Sequence, residues 1–224
     1  MEIVVIHGQN HKGNTYHLTK LLTDNFSEKV DSIKEFYTND IPPCAGCFAC
    51  VIKGEEFCPH CSIIAPIALA IEKSDVIIIN SPNYCMEMSG QLKTFFDHMA
   101  YRWISHRPHP SMENKIGVAI TTTAGTGARG TAKSIARQML YWNVAKTYCL
   151  PAAVSAMNWD SVKAEKKEKL VKATKKTAKN IKITLPNVKP GIKSKFMFNM
   201  MRSMQKTSTW NQVDRKHWEN NGWI

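Results

Sequence analysis

Runs of consecutive apolar residues alternate along this chain with stretches whose apolar positions recur every three or four residues. The runs lie within residues 3–6, 75–80, 116–120 and 147–154, the second being flanked by Asp75 and Asn80 and the fourth opening on Thr147. A strand that is apolar at successive positions is buried on both faces, as in a parallel sheet covered by helices. Residues 30–36 are more polar and predict a strand at or near a sheet edge. Helices are expected over 15–26, where Leu18, Leu21, Leu22 and Phe26 share a face, and over 62–73, 89–100 and 130–142. Strand and helix alternate throughout, which predicts a doubly wound α/β sheet with right-handed crossovers.

Three polar loops each follow one of the buried strands: 8–15, 81–86 and 121–127. In an open parallel sheet such loops meet beyond the carboxyl ends of the strands and hold a ligand there. Any one of them alone is also compatible with an ordinary turn. The first runs Gly8-Gln9-Asn10-His11-Lys12-Gly13-Asn14-Thr15 into a helix, so it offers backbone N–H groups and a positive helix end to a phosphate. No G-K-[ST] follows the second glycine, and G-x-G-x-x-G is absent. A mononucleotide such as FMN therefore fits better than ATP or a dinucleotide.

Composition narrows the setting. With 224 residues, one domain and an appendage are expected, and no apolar run is long enough to cross a membrane. The chain opens on a strand without a basic and apolar leader pattern, which favours the cytosol. Its seven cysteines, five of them between Cys44 and Cys61, then read as thiol, metal or cluster chemistry before disulfides. The net charge of +12 comes largely from lysines 163–182, where Val162, Leu170, Ala173, Ala178 and Ile181 leave a thin apolar stripe. That pattern predicts a solvated outer helix. A nucleic-acid surface would interleave aromatic residues, and none stands among these lysines.

Four segments taken in order carry a family resemblance: Gly8…Gly13-Asn14-Thr15; Cys44-Ala45-Gly46-Cys47-Phe48-Ala49-Cys50; Ser81-Pro82-Asn83-Tyr84 with Ser89-Gly90-Gln91-Leu92-Lys93; and Thr121 to Gly127. Over roughly residues 1–160 the chain resembles the flavodoxin-like NAD(P)H-dependent FMN reductases, particularly the group with a cysteine-rich insert related to iron–sulfur flavoproteins. The resemblance implies a five-stranded flavodoxin-like sheet that binds FMN non-covalently. The phosphate would lie in the loop of Gln9, Asn10, Lys12, Gly13, Asn14 and Thr15, with the Thr15 hydroxyl as a donor. Pro82, Asn83, Tyr84, Cys85 and Met86 would follow the ribityl chain and ring, and Thr123, Ala124, Gly125, Thr126 and Gly127 the other ring edge. Gln9 stands where the family usually has serine.

The implied reaction takes hydride from NAD(P)H to flavin N5 and passes electrons to a small acceptor: a quinone, a nitro or azo compound, or flavin. No protein nucleophile or acid–base triad is needed. The alternative is an electron carrier with a [4Fe–4S] cluster on Cys44, Cys47, Cys50 and Cys58, and zinc or metal-free thiols are further readings of that segment. A basic binding protein without redox chemistry is a third class. Residues 101–110 read either as a lid whose Arg107 or His106 meets the nicotinamide phosphates or as a surface loop. Cys85 and Cys149 read as core thiols.

Residues 1–185 are expected to form the FMN domain and 186–224 a C-terminal arm. On that arm Ile192, Phe196, Met197, Met200, Met201 and Met204 share a face, followed by Trp210, Trp218 and Trp223. The arm is expected to wrap a neighbour in a homodimer or homotetramer, the other reading being an arm packed on its own domain. Neither nucleic acid nor a membrane is expected as a partner.

Overall fold

The computed structural model describes residues 1–26 and 30–224. Five strands, β1 (Glu2–His7), β2 (Ser32–Tyr37), β3 (Val76–Pro82), β4 (Ile116–Thr123) and β5 (Lys146–Ala153), form one sheet in the order β2-β1-β3-β4-β5. Every pairing is parallel. This is the flavodoxin-like strand order, with its switch point between β1 and β3.

Residue parity divides the sheet into two cores. Val4, Ile6, Ile77, Ile79 and Ala119 face helices α3 (Cys61–Lys73), α4 (Gly90–His98) and α5 (Ala128–Tyr141). Ile3, Val5, Val76, Ile78, Val118 and Ile120 face α1 (Asn14–Thr23) and α6 (Ala164–Thr184). Burying each such Val or Ile contributes about 1.5–3 kcal/mol, so the central strands anchor both layers. β2 is the polar edge strand that its sequence suggests. The lysine helix also behaves as its pattern predicts: α6 buries Leu170, Thr174, Ala178 and Ile181 and leaves most of its lysines exposed.

The boundaries correct the reading of the sequence in informative places. Residues 24–26 leave the α-helix for a short 3-10 turn. Ser81-Pro82 does not break β3, which continues until Pro82 pairs with Thr122. The proline is tolerated because β1 ends at His7 opposite Asn80, so no strand on that side needs the missing N–H. β4 likewise runs to Thr123, carrying the threonines into the sheet's carboxyl edge.

The arm comprises α7 (Ile192–Thr207) and α8 (Gln212–Asn220). α8 folds onto its own chain: Trp218 is 0% exposed and donates its Nε1–H to the His106 carbonyl at 2.6 Å. Asn211 caps α8 with its side-chain oxygen and donates to the Val51 carbonyl at 2.9 Å, next to the short helix α2 (Ala49–Ile52). α7, by contrast, leaves Ile192, Phe196, Met200 and Met204 exposed.

Candidate functional site

The loops after β1, β3 and β4 meet at one cleft of about 310 Å³. Gln9, Asn14, Thr15, Pro82, Asn83, Tyr84, Thr123 and Ala124 line it. The strands bring these loops to the same edge because each ends in register with its neighbour.

The first loop is held close against the second. Gly8 donates its N–H to the Asn80 carbonyl at 2.8 Å, and a Cβ at position 8 would sit 2.8 Å from that same oxygen. Ser89 donates its hydroxyl to the Gly8 carbonyl at 2.5 Å while accepting from Leu92 N–H as the cap of α4. Beyond this anchor, the N–H groups of Gln9, Asn10, His11 and Lys12 meet no acceptor among the described residues. Gly13 precedes α1 with no side-chain cap, so the first-turn N–H groups of that helix are also free. A row of unpartnered donors at a helix start is an anion cradle.

Asn14 supplies the complementary group. Its Nδ2 donates to the Ala156 carbonyl at 2.9 Å, which fixes the amide orientation because a carbonyl only accepts. Its Oδ1 is buried and without a partner among the described residues, in a residue that lines the cleft. An orphaned buried acceptor costs about 1–3 kcal/mol, and a ligand hydroxyl would satisfy it. Thr15 is buried with its hydroxyl 2.6 Å from that of Thr122, tying α1 to the end of β4. Lys12 is exposed and lies 5.6 Å from the Tyr16 ring centroid.

Asn83 joins the second and third loops. It donates its Nδ2 to the Thr126 carbonyl at 2.6 Å, accepts the Thr131 hydroxyl at 2.9 Å and bonds Thr122 through its backbone. Gly127 allows this: its φ is +95°, and a Cβ there would stand 2.4 Å from Asn83 Nδ2. Tyr84 is half-exposed and donates its hydroxyl to Gln9 Oε1 at 2.9 Å, closing the first loop against the second. Tyr84 and Glu87 exchange backbone hydrogen bonds across a turn whose central residues, Cys85 (φ +49°) and Met86 (φ +66°), are both left-handed without being glycine. Such backbone costs of order 1–3 kcal/mol and gathers at ligand sites.

The cleft is thus lined by half of the residues singled out in the sequence. Asn10, Lys12, Gly13, Cys85, Met86, Gly125, Thr126 and Gly127 stand beside the lining residues in the same three loops. Sequence reasoning missed His11, Thr122, Ala156 and Met157, which complete the lining. Ala156 and Met157 belong to the loop after β5, and the rule that selected the first three loops would have found this fourth one.

Two expectations fall. Arg107 is no lid: it is 3% exposed, donates to the Val51 carbonyl at 3.0 Å and to Asp214 Oδ1 at 2.5 Å, and also bonds the Cys50 carbonyl. His106 approaches the other Asp214 oxygen at 2.7 Å. His106 and Arg107 thus serve the arm, while Arg102 and His109 face Glu72 on α3. Cys85 and Cys149 are not core thiols: one stands on an exposed turn, and the other is an exposed residue of the edge strand β5 whose thiol donates to the Ala132 carbonyl of α5 at 3.7 Å.

In the cysteine-rich segment all thiols are free; Cys44 and Cys47 are exposed, and Cys50 and Cys58 half-buried. Burial pushes the Cys50 thiol above its ordinary range, and the nearby Cys58, Cys44 and Cys47 add to the shift.

Comparison with known proteins bears on the family and the fold. Residues 1–160 match the family model of NADPH-dependent FMN reductase. An iron–sulfur flavoprotein of Archaeoglobus fulgidus is 33% identical over 84 residues, 38% of this chain and 36% of that protein. The chain therefore aligns with well under half the length of that relative. Among solved structures, an apo NADH:FMN oxidoreductase aligns with a TM-score of 0.54 at 16% identity, over 80% of this chain and 89% of its own. The flavoenzyme NAD(P)H:(acceptor) oxidoreductase FerB from Paracoccus denitrificans gives 0.56 at 16% identity, over 81% and 97%. At these identities the two structures speak for the fold.

Proposed function

Because this chain belongs to the NADPH-dependent FMN reductase family, we propose that its cleft holds FMN and that it passes electrons from NAD(P)H to a small acceptor, a quinone, a nitro or azo compound, or free flavin. The observation that carries this reading is the meeting, at one cleft, of an uncapped helix start, a preceding loop whose N–H groups at residues 9–12 have no acceptor among the described residues, and the Asn14 Oδ1, which likewise has no partner there. The donors suit a phosphate, and the acceptor suits a ribityl hydroxyl. FMN when bound supplies the hydride-accepting chemistry. The protein's part is to bind and orient it: residues 9–15 hold the anionic end, the 82–86 turn and Tyr84 close one side, and 123–127 offer small residues and open backbone to the other.

The setting of this reading is the cytosol, in keeping with seven free cysteines and with the absence of any described helix long and apolar enough to cross a membrane. Its assembly is a homodimer or homotetramer, for which the exposed face of α7 is the natural contact. The test is anaerobic addition of NADPH or NADH to the FMN-loaded protein. Bleaching of the flavin band, with return on adding a quinone, is expected; a flavin that stays oxidised with both nucleotides refutes the reading.

The alternative is an electron carrier with a [4Fe–4S] cluster on Cys44, Cys47, Cys50 and Cys58, supported by the 33% identity over 84 residues to an iron–sulfur flavoprotein. Iron and sulfide at four per chain in protein purified without oxygen would favour it. Their absence leaves the simple reductase.

A further inference from the structure

We propose that Cys58, His60 and His98 form a mononuclear zinc-type site that fastens the cysteine-rich segment to the end of α4. The sulfur and one ring nitrogen of each histidine all lie within 4.8 Å of one another. Cys58 Sγ is 3.9 Å from His98 Nδ1. Sulfur at about 2.3 Å and nitrogen at about 2.1 Å from a tetrahedral zinc stand about 3.6 Å apart, so a shift of roughly 0.3 Å brings this pair to ligand spacing.

The second sphere is already in place. His98 is 2% exposed, and its Nε2 lies 2.8 Å from the Pro42 carbonyl. A carbonyl can only accept, so Nε2 carries the hydrogen and Nδ1 is the nitrogen left facing Cys58 to serve as a ligand. Metal-binding histidines are oriented in this way by the bond that their other nitrogen makes. His60 stands edge-on to His98, with ring centroids 5.1 Å apart and planes at 83°. It precedes α3 without capping it, and its side chain makes no hydrogen bond among the described residues. A buried, pre-oriented imidazole, a thiol facing it and a second imidazole with no other task form a Cys-His-His donor set of borderline softness, suited to Zn²⁺ and its first-row neighbours. Cys58 and His60 are half-buried, so water can take the fourth position.

This site lies at the far end of α4 from Ser89 and the cleft; nine residues of helix place it roughly 13 Å along the axis. It is independent of the flavin reading, and it competes with the [4Fe–4S] alternative for Cys58. The experiment is an anaerobic titration of the metal-free chain of residues 1–224 with Co²⁺, read by its visible and near-ultraviolet spectrum. It compares the wild type with Cys58→Ser, His60→Asn and Cys44→Ser, positions that are exposed or half-buried, with a thermal melt of each variant as the folding control.

One Co²⁺ per chain is expected, with tetrahedral d–d bands and a sulfur-to-cobalt charge-transfer band, and with displacement by Zn²⁺. Cys58→Ser abolishes the charge-transfer band. His60→Asn keeps it but weakens binding at least about tenfold, since even outer-sphere partners are worth that much. Cys44→Ser leaves the titration unchanged. Loss of binding in Cys44→Ser, an unchanged titration in His60→Asn, no charge-transfer band in the wild type, or a native iron–sulfur cluster that takes Cys58 would each overturn the proposal.

Discussion

Gly127 shows how one residue holds the third loop to the second. Its φ of +95° and the 2.4 Å that would separate a Cβ from Asn83 Nδ2 leave no room for a side chain. Gly127→Ala should cost about 1–3 kcal/mol locally and weaken FMN binding about tenfold or more, measured by quenching of flavin fluorescence. His109 makes a prediction in pH. Burial, with the positive charges of Arg102 and Lys115, pushes its pKa down to about 4, outweighing the Glu72 carboxylate 3.8 Å away. The unfolded chain binds that proton near pH 6.5 and the folded chain only near 4, so stability falls as pH drops through that window. His7 and His217, also shifted down by burial, act in the same direction. His109→Gln should flatten the 6.5-to-4 slope of the urea midpoint; an unaltered slope would contradict the assignment. At this scale the sequence is legible where chemistry and chain position coincide, as in 8–15. It is silent where a residue's partner is remote: nothing near Arg107 announces Asp214.

Among the elements, β1, its loop and α1 are readable because a buried strand, a polar loop and an amphipathic helix each leave a local pattern. The longer reach of β3 and β4 was not, since Ser81, Pro82 and Thr121–Thr123 are polar or helix-breaking residues whose strand pairing comes from the neighbouring strand. The docking of α8 is likewise long-range. Asp214 is 0% exposed and, with Glu55 at 3.3 Å, holds the guanidinium of Arg107, which also bonds the carbonyls of Cys50 and Val51. Asp214→Ala strands that buried charge and should destabilise the fold by about 3–5 kcal/mol, seen as a lower denaturant midpoint and faster proteolysis of the arm. By the same geometry, Arg107→Met should destabilise the chain yet leave the KM for the reduced nicotinamide unchanged. A KM raised tenfold in the folded variant would restore the lid.

At the scale of the molecule, the parallel α/β sheet, its edge strand and the edge at which its loops meet were legible because hydrophobic periodicity fixes them. The arm's destination was not: its apolar residues have two possible partners, and α8 meets its own domain while α7 keeps Ile192, Phe196, Met200 and Met204 at the surface. If that face joins subunits, Phe196→Glu with Met200→Glu should shift the sedimentation coefficient to that of a monomer without lowering the melting temperature of the domain. An unchanged coefficient would remove α7 from the interface. The claim on which all of this rests is that the cleft is a flavin site, and the most direct measurement is a titration of the purified chain with FMN, followed without oxygen by NADPH and then NADH. One FMN bound per chain is expected, lost or weakened in Gly127→Ala, with a flavin band that bleaches with at least one of the two nucleotides. A folded protein that binds no FMN, or binds it and is reduced by neither nucleotide, would contradict that claim.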